Sequence, residues 1–136
     1  MTKKIPYRIE SLKTEQFAMF PESFKEKERI QISTKFEFQI NNDRNKIKCI
    51  SEFVYSHESD VLLKLVLNSI FNIADEGKEN LIKEKKIPVD FLRYMATIVT
   101  GTARGVIHSK TEGTLLNKCV LPPIDLTKVI KEDYKF

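Results

Sequence analysis

The stretch IQISTKFEFQI, residues 30–40, alternates between two kinds of side chain along its whole length. One set is apolar apart from a threonine and consists of Ile30, Ile32, Thr34, Phe36, Phe38 and Ile40. The other set is polar. Because successive side chains of a strand point to opposite faces, this pattern predicts a β-strand with one buried face and one face in water.

Two further strands are predicted downstream of this one. The segment NNDRN, residues 41–45, favours a turn because Asn and Asp tolerate left-handed backbone conformations. Residues 46–55 again place apolar side chains on one face, and SHESD at residues 56–60 supplies the next turn. Residues 61–73 are apolar on both sides. Three consecutive strands with short polar turns indicate an antiparallel meander, to which residues 7–24 are expected to add a fourth strand.

The chain changes to helical periodicity after Pro88. Apolar side chains then recur three and four residues apart, which predicts a helix over residues 89–108. Residues 74–86, which precede this helix, are predicted to form a polar connection with one helical turn. A crossover at residues 109–120 leads to a short second helix around residues 126–131. The predicted fold class is therefore α+β, with a four-stranded antiparallel meander sheet, one long helix and a short C-terminal lid helix.

The long predicted helix carries more apolar surface than one sheet can cover. Its two apolar faces are formed by Leu92, Ala96, Val99 and Ala103, and by Phe91, Met95, Ile98 and Thr102. Thr97, Gly101 and Gly105 form a separate row of small residues, four positions apart. Two glycines inside a helix cost about 1 kcal/mol each relative to alanine, and close packing of another helix would offset that cost. We therefore expect a homo-oligomer with this row at the interface.

Composition and charge exclude several classes of protein. The chain is expected to form one domain, residues 1–136, in which the role of residues 1–29 is left open. The net charge is +4, but positive and negative residues alternate in segments such as KEKER at residues 25–29, so no nucleic-acid partner is expected. No apolar run is long enough for a signal-peptide core or a membrane span, so no membrane insertion is expected. Cys49 and Cys119 lack metal or redox spacing and fit a reducing cytoplasm.

Residues 100–119 contain the groups that could carry chemistry. The GTARG segment lacks the spacing of a phosphate loop and lies near a predicted helix C-terminus, where the helix dipole repels phosphate. His57 and His108 have no partner at metal-ligand spacing. We therefore expect no catalytic residue, no metal and no cofactor. The alternative is an enzyme or a small-ligand-binding protein using this region, which would require Arg104, His108 and Lys110 to converge on one pocket.

Another alternative is a sheet that binds single-stranded nucleic acid by stacking bases on aromatic rings. The rings available for this are Phe36, Phe38 and Phe53. Stacking would require them on the solvent face, whereas the alternation of the strands places them on the apolar face.

Three segments resemble the SecB family of export chaperones. LNSIFNI at residues 67–73 is similar to the apolar third strand of that family. PVDFLRYMATIVTGTARG at residues 88–105 resembles its main helix, which closes on an Arg-Gly pair. LPPIDLTKVI at residues 121–130 resembles the segment that leads into its lid helix. With the order and spacing of these segments after a three-strand meander, the resemblance extends from about residue 36 to residue 130.

The resemblance implies a four-stranded antiparallel sheet with two helices, assembled as a dimer of dimers through the long helix. It also implies an ATP-independent holdase that binds unfolded or nascent polypeptides in apolar grooves. The positions that match the crossover and lid bordering the groove are Leu121, Pro122, Pro123, Ile124 and Leu126. Further candidates, for the groove floor, are Phe36, Phe38, Phe53, Phe71 and Met95.

Two departures from the family pattern bear on the partners. Export members of the family are typically acidic and engage the SecA motor through an acidic sheet surface, whereas this chain is basic and has only Glu37 and Glu52 on the comparable strands. The chain also ends shortly after the lid helix, at KEDYKF. SecA is therefore a candidate partner only, and a chaperone dedicated to one client, such as the antitoxin of a toxin–antitoxin system, is an alternative.

Overall fold

A computed structural model describes residues 5–136 of the protein. Its main sheet consists of Tyr7–Met19 (β1), Gln31–Ile40 (β2), Lys46–His57 (β3) and Asp60–Ile73 (β4). The other regular elements are Asp75–Glu84 (α1), Lys86–Ile87 (β5), Val89–Thr111 (α2), Leu126–Val129 (α3) and Tyr134–Lys135 (β6). The predicted class is confirmed: the fold is α+β, with a four-stranded antiparallel sheet, a long helix and a short C-terminal helix.

The strands of the main sheet lie in the order β1-β4-β3-β2. β2, β3 and β4 form the predicted antiparallel meander, with Phe38 opposite Cys49 and Phe53 opposite Leu65. β1 pairs with β4 instead of β2, so the prediction of a meander through all four strands is corrected at β1. The physical reason is the connection at residues 20–30, which is long enough to pass across the end of the sheet from one edge to the other.

The connection after β4 differs most from its prediction. It forms the ten-residue helix α1 instead of a single helical turn. Gly77 explains why the helix can lie against the sheet, since a Cβ at this position would be 2.8 Å from Ile5 and 2.9 Å from Ile73. Lys85 ends the helix in a left-handed conformation with a φ of 55°. The sequence did not reveal this helix because only Gly77 and Leu81 are buried, which is too few to produce an apolar period.

The hydrophobic core lies between one face of the sheet and α2. The buried side chains of α2 are Phe91, Leu92, Met95, Ala96, Val99, Thr100, Ala103, Ile107 and Thr111. The helix runs three residues beyond its predicted end, and α3 stops at Val129, short of the predicted residue 131. Of the second predicted apolar face, Phe91 and Met95 are buried, while Ile98 and Thr102 are only partly buried. One side of α2 therefore remains partly open.

The C-terminal residues are hydrogen-bonded to the start of α2. β6 pairs with β5, and the Asp133 carboxylate accepts a hydrogen bond of 2.8 Å from the amide of Val89, the first residue of the helix. Lys86 approaches the same carboxylate at 3.2 Å. The backbone hydrogen bond, and then Lys86, lower the pKa of Asp133. This tail therefore closes one end of the helix layer.

Candidate functional site

Residues 121–130 return along α2 on the side that faces β2. The guanidinium of Arg104 donates to the carbonyl oxygens of Leu121 at 2.6 Å and Pro122 at 3.1 Å. Arg93, three turns earlier in the helix, donates to the carbonyl of Ile130 at 2.9 Å. Because the later arginine holds the earlier part of the segment, the segment runs antiparallel to the helix. It therefore forms a separate wall beside the edge of the sheet, where α3 contacts β2.

Two adjoining cavities open where this segment meets the edge of β2, the first of them mainly over the outer face of the sheet. One has a volume of about 440 Å³ and is lined by Thr34, Lys35, Phe36, Glu37, Ile50, Glu52 and Val129. The other, of about 360 Å³, is lined by Phe36, Glu37, Phe38, Leu92 and the chain from Val129 to Tyr134. Phe36, Glu37 and Val129 are common to both. The two cavities together form one groove, which we call the β2 groove.

The backbone of β2 is unpaired along the edge that faces this groove. The amide of Asn41 donates to the carbonyl of Lys46 at 3.1 Å, which sets the alternation of hydrogen-bonded pairs between β2 and β3. In this alternation, Lys35, Glu37 and Gln39 form backbone hydrogen bonds with β3. The residues that alternate with them along β2 point their N–H and C=O groups outward. These are Ile32, Thr34, Phe36, Phe38 and Ile40. Within residues 5–136, no backbone hydrogen bond from outside the sheet reaches them.

The aromatic residues that were predicted for the floor of a groove divide into two groups. Phe36 is partly buried and lines both cavities, and Phe38, which is 9% exposed, lines one of them. Phe53, Phe71 and Met95 are fully buried in the core beneath α2. For these three the prediction is corrected, because no solvent-accessible atom remains for a ligand to contact in this structure.

The predicted crossover and lid residues belong to the segment 121–130, but none of them lines either cavity; from Leu121 onward, only Val129 to Tyr134 do. Leu121 is buried and anchors the segment, whereas Pro122 and Pro123 are exposed. Ile124 and Leu126 are partly buried and pack against the core. The residue that sequence reasoning missed is Val129, which lines both cavities and is 38% exposed. Its position three residues after Leu126 is the helical spacing that could have identified it.

The row of small residues on α2 faces open space. Thr97, Gly101 and Gly105 are exposed, and a Cβ added at either glycine would meet no atom within 4 Å. Nearby on β1, Ile9 and Leu12 are 38% and 45% exposed, although their register places them on the helix side of the sheet. This surface is compatible with the predicted interface, and oligomerisation stays a prediction.

The three residues required by the small-ligand alternative do not converge. Arg104 is occupied by backbone carbonyls. The His108 ring lies 3.6 Å from Glu112 on the exposed surface, and the Lys110 ammonium lies over the ring of Phe17 at 5.8 Å. The geometry therefore assigns these side chains to three separate contacts.

The remaining reactive groups also lack a site. Burial raises the pKa of the Cys49 thiol to about 12, and burial likewise raises the pKa of Cys119. Over the described part of the chain, no group of three or more potential metal ligands is found. Among the helices of residues 5–136, none combines the length and the apolar character needed to cross a membrane.

A solved structure of another protein is similar to this chain. It is the SecB-like chaperone Rv1957 of Mycobacterium tuberculosis in complex with a ChAD peptide from the HigA1 antitoxin. The sequences are 11% identical, the match covers 87% of this chain and 86% of that one, and the TM-score is 0.44. No family model matches the sequence, and no curated protein matches it.

Proposed function

We propose that the protein is an ATP-independent holdase chaperone that binds unfolded or nascent polypeptides in the β2 groove. The observation that carries the proposal is the combination of an unpaired strand edge with an apolar wall. A folded partner presents few unpaired backbone groups, whereas an unfolded chain presents them at every residue. The groove therefore suits an unfolded chain in extended conformation.

Hydrogen bonding gives the groove affinity without sequence preference. An extended peptide can add to β2 as a further strand, using the outward backbone groups of Thr34, Phe36 and Phe38. Every second residue of the peptide would then point its side chain toward Phe36 and Val129. Such a site favours apolar residues at alternate positions, which are common in chains that have yet to bury their core.

The charges around the groove are of both signs. The charged residues that line the two cavities are Lys35, Glu37, Glu52, Lys131, Glu132 and Asp133; Glu52 lies 3.8 Å from Lys64, and Asp133 lies 3.2 Å from Lys86. Because no single sign dominates, electrostatic steering contributes little to the choice of client. The protein is accordingly proposed to act on many clients in the cytoplasm, with no cofactor.

Assembly and delivery belong to the same proposal. We propose that residues 1–136 act as one chaperone domain and form a homo-oligomer, a dimer of dimers, through the exposed row of Thr97, Gly101 and Gly105. SecA is a candidate partner for export. A chaperone dedicated to one client, such as an antitoxin, is the alternative, and it predicts that unrelated denatured proteins are not protected.

The test is suppression of aggregation of chemically denatured clients, without ATP and at one chaperone subunit per client. Several unrelated clients should remain soluble with the wild-type protein. Val129→Asp should lose most of this protection because it places a charge in both cavities. Val61→Asp is the matched control, since Val61 has a similar exposure, 42% against 38%, and lines neither cavity. Absence of protection by the wild-type protein, or equal loss in both variants, would contradict the proposal.

A second measurement separates strand addition from nonspecific apolar contact. A client peptide is synthesised twice, with N-methyl groups on one or the other set of alternate amides. Strand addition predicts that only one set weakens binding, by up to about tenfold for each lost hydrogen bond. Equal effects of the two sets would exclude strand addition to β2.

A further inference from the structure

His57 lies at the end of β3, beneath the connection from β1 to β2. Residues 20–30 have to cross the end of the sheet because β1 and β2 occupy opposite edges. The histidine is 2% exposed, and its ring stacks on Phe24 with the two centroids 5.7 Å apart. The crossing chain is therefore packed directly on the imidazole.

Both ring nitrogens of His57 are bonded to this crossing chain. The amide of Lys25 donates to Nε2 at 3.0 Å, and Nδ1 lies 3.1 Å from the carbonyl oxygen of Arg29. A backbone N–H can only donate and a carbonyl can only accept. The two contacts together require a neutral ring with its proton on Nδ1. A ring protonated on both nitrogens has no lone pair for Lys25, so this hydrogen bond is lost.

The crossing chain is in turn connected to the segment that precedes the groove wall. Lys118 pairs with Glu26 at 2.5 Å, and its ammonium lies over the ring of Phe24 at 5.2 Å. The hydrogen bond from Lys118, and then its charge, lower the pKa of Glu26. The ionised form of Glu26 is therefore favoured by its contact with Lys118.

We propose that His57 is a proton-sensitive latch that holds the connection at residues 20–30 and, through Glu26 and Lys118, the segment at residues 115–121. Protonation of Nε2 releases the latch because it removes the acceptor for the Lys25 amide. The consequence for client binding rests on the proposed function, since the second segment leads into the wall of the β2 groove. The latch itself does not depend on that function.

The charged groups around the ring do not replace the lost hydrogen bond. The crossing chain contributes Lys25, which lies 3.7 Å from Glu28, together with Glu26 and Arg29. The β3–β4 turn contributes Glu58 and Asp60. The later segment contributes Lys118. Among the described residues, both polar contacts of the ring are with backbone groups. A second proton on the ring is therefore not compensated by a bonded carboxylate.

The chain contains two histidines, which makes the test specific. His108→Gln leaves His57 as the only imidazole, and His108 is 64% exposed by side chain, so its replacement should be tolerated. Amide hydrogen exchange is measured by NMR at pH 7.5 and pH 5.0, corrected for the intrinsic rate at each pH. The two probes are the amide of Lys25, bonded to His57, and the amide of Cys119, bonded to the carbonyl of Leu116 at 2.9 Å.

In His108→Gln, acidification should lower the protection of the Lys25 amide by about tenfold, which is the effect of one lost hydrogen bond, and that of the Cys119 amide by a smaller factor, because the Glu26–Lys118 pair is exposed. His57→Gln should abolish this pH dependence, because its amide group can still donate to Arg29 and accept from Lys25 but does not titrate. Glu26→Gln, added to His108→Gln, should leave the response at Lys25 and remove it at Cys119.

Three results would overturn the proposal. Constant protection of Lys25 between the two pH values in His108→Gln would exclude the latch. If acidification from pH 7.5 to pH 5.0 lowers protection in His57→Gln as much as in His108→Gln, the response belongs to another group. A response at Lys25 without one at Cys119 would exclude the coupling. None of these measurements uses a client, so failure of the latch and failure of the chaperone proposal are distinguishable.

Discussion

The two long sides of α2 are covered in different ways. On the side facing β2, the chain's own residues 121–130 fill the space next to the helix, held by Arg93 and Arg104. On the side facing β1, apolar residues such as Leu12 remain exposed, and a Cβ at Gly101 or Gly105, which point away from the sheet, would meet no other part of residues 5–136 within 4 Å. The first arrangement leaves a groove with one wall of irregular chain. The second leaves a surface that another copy of the protein could cover.

The proposed function assigns two separate roles to this one helix. The wall is attached through arginine–carbonyl hydrogen bonds and through Leu121 and Ile130, which are buried in the core; under the proposed function, it borders the client. A row of glycines has no side chains to rearrange, which suits a fixed contact between backbones. The following changes test this contrast, from the largest expected effect to the smallest.

Met95→Ala should destabilise the protein most. Met95 is fully buried between α2 and the sheet, and truncation of such a side chain costs about 2–5 kcal/mol. Thr97→Ala, on the exposed row of the same helix, should change the free energy of unfolding by less than about 0.5 kcal/mol. Urea unfolding measures both. A similar loss in the two variants would show that the exposed row is as well packed as the core.

Arg104→Ala should loosen the wall of the β2 groove. It removes two hydrogen bonds from a charged donor to Leu121 and Pro122, with an expected cost of about 2 kcal/mol. Arg8→Ala is the charge-matched control, because Arg8 is exposed on β1. Urea unfolding gives the stability, and fluorescence titration with a client peptide gives the affinity. Unchanged stability and affinity in Arg104→Ala would show that the arginine does not hold the wall.

Asp133→Ala should have a smaller, pH-dependent effect. The lost contact to the first amide of α2 is equivalent to a helix cap and costs about 1 kcal/mol. The pKa of Asp133 is lowered by folding, so its stabilisation is present above the ordinary carboxyl pKa of about 4 and is lost as the pH falls through the folded value. The Tm difference from wild type should therefore be largest near pH 7 and vanish in acid. Glu132→Ala is the exposed control; a difference independent of pH would contradict the assignment.

Gly101→Ala should slightly stabilise an isolated subunit. Its Cβ has free space, and alanine is favoured over glycine in a helix by about 1 kcal/mol. Gly101→Leu should instead reduce the mass seen by light scattering, because its larger side chain prevents close approach of a second helix. Gly105→Leu should act in the same way. An unchanged mass in both leucine variants would refute an interface at this row.

The sequence predicted those parts of the fold that have a regular apolar period. Strands β2 to β4 and helix α2 are recognisable because Phe36, Phe38, Leu92 and Met95 recur at strand or helix spacing. α1 was missed because its packing depends on the absence of a side chain at Gly77, which leaves no apolar period. The position of β1 was also not predictable, because a long connection is compatible with either edge.

The candidate site was predicted less completely than the fold. A pattern of alternate apolar residues identifies the buried face of a strand, but it does not distinguish a residue under the helix from one at the open edge. Phe53 and Phe36 face the same side of the sheet, and only Phe36 lines the groove. Val129 was missed because its exposure depends on how residues 121–130 lie on α2.

The sequence by itself determined the α+β class, the three-strand meander and the long helix, because these follow from local periodicity and spacing. Only the tertiary structure decided which edge β1 joins, which aromatic rings belong to the core, and where Arg93 and Arg104 direct the returning chain. It also placed His57 beneath residues 20–30. These features depend on contacts between residues far apart in sequence, and no local pattern records such contacts.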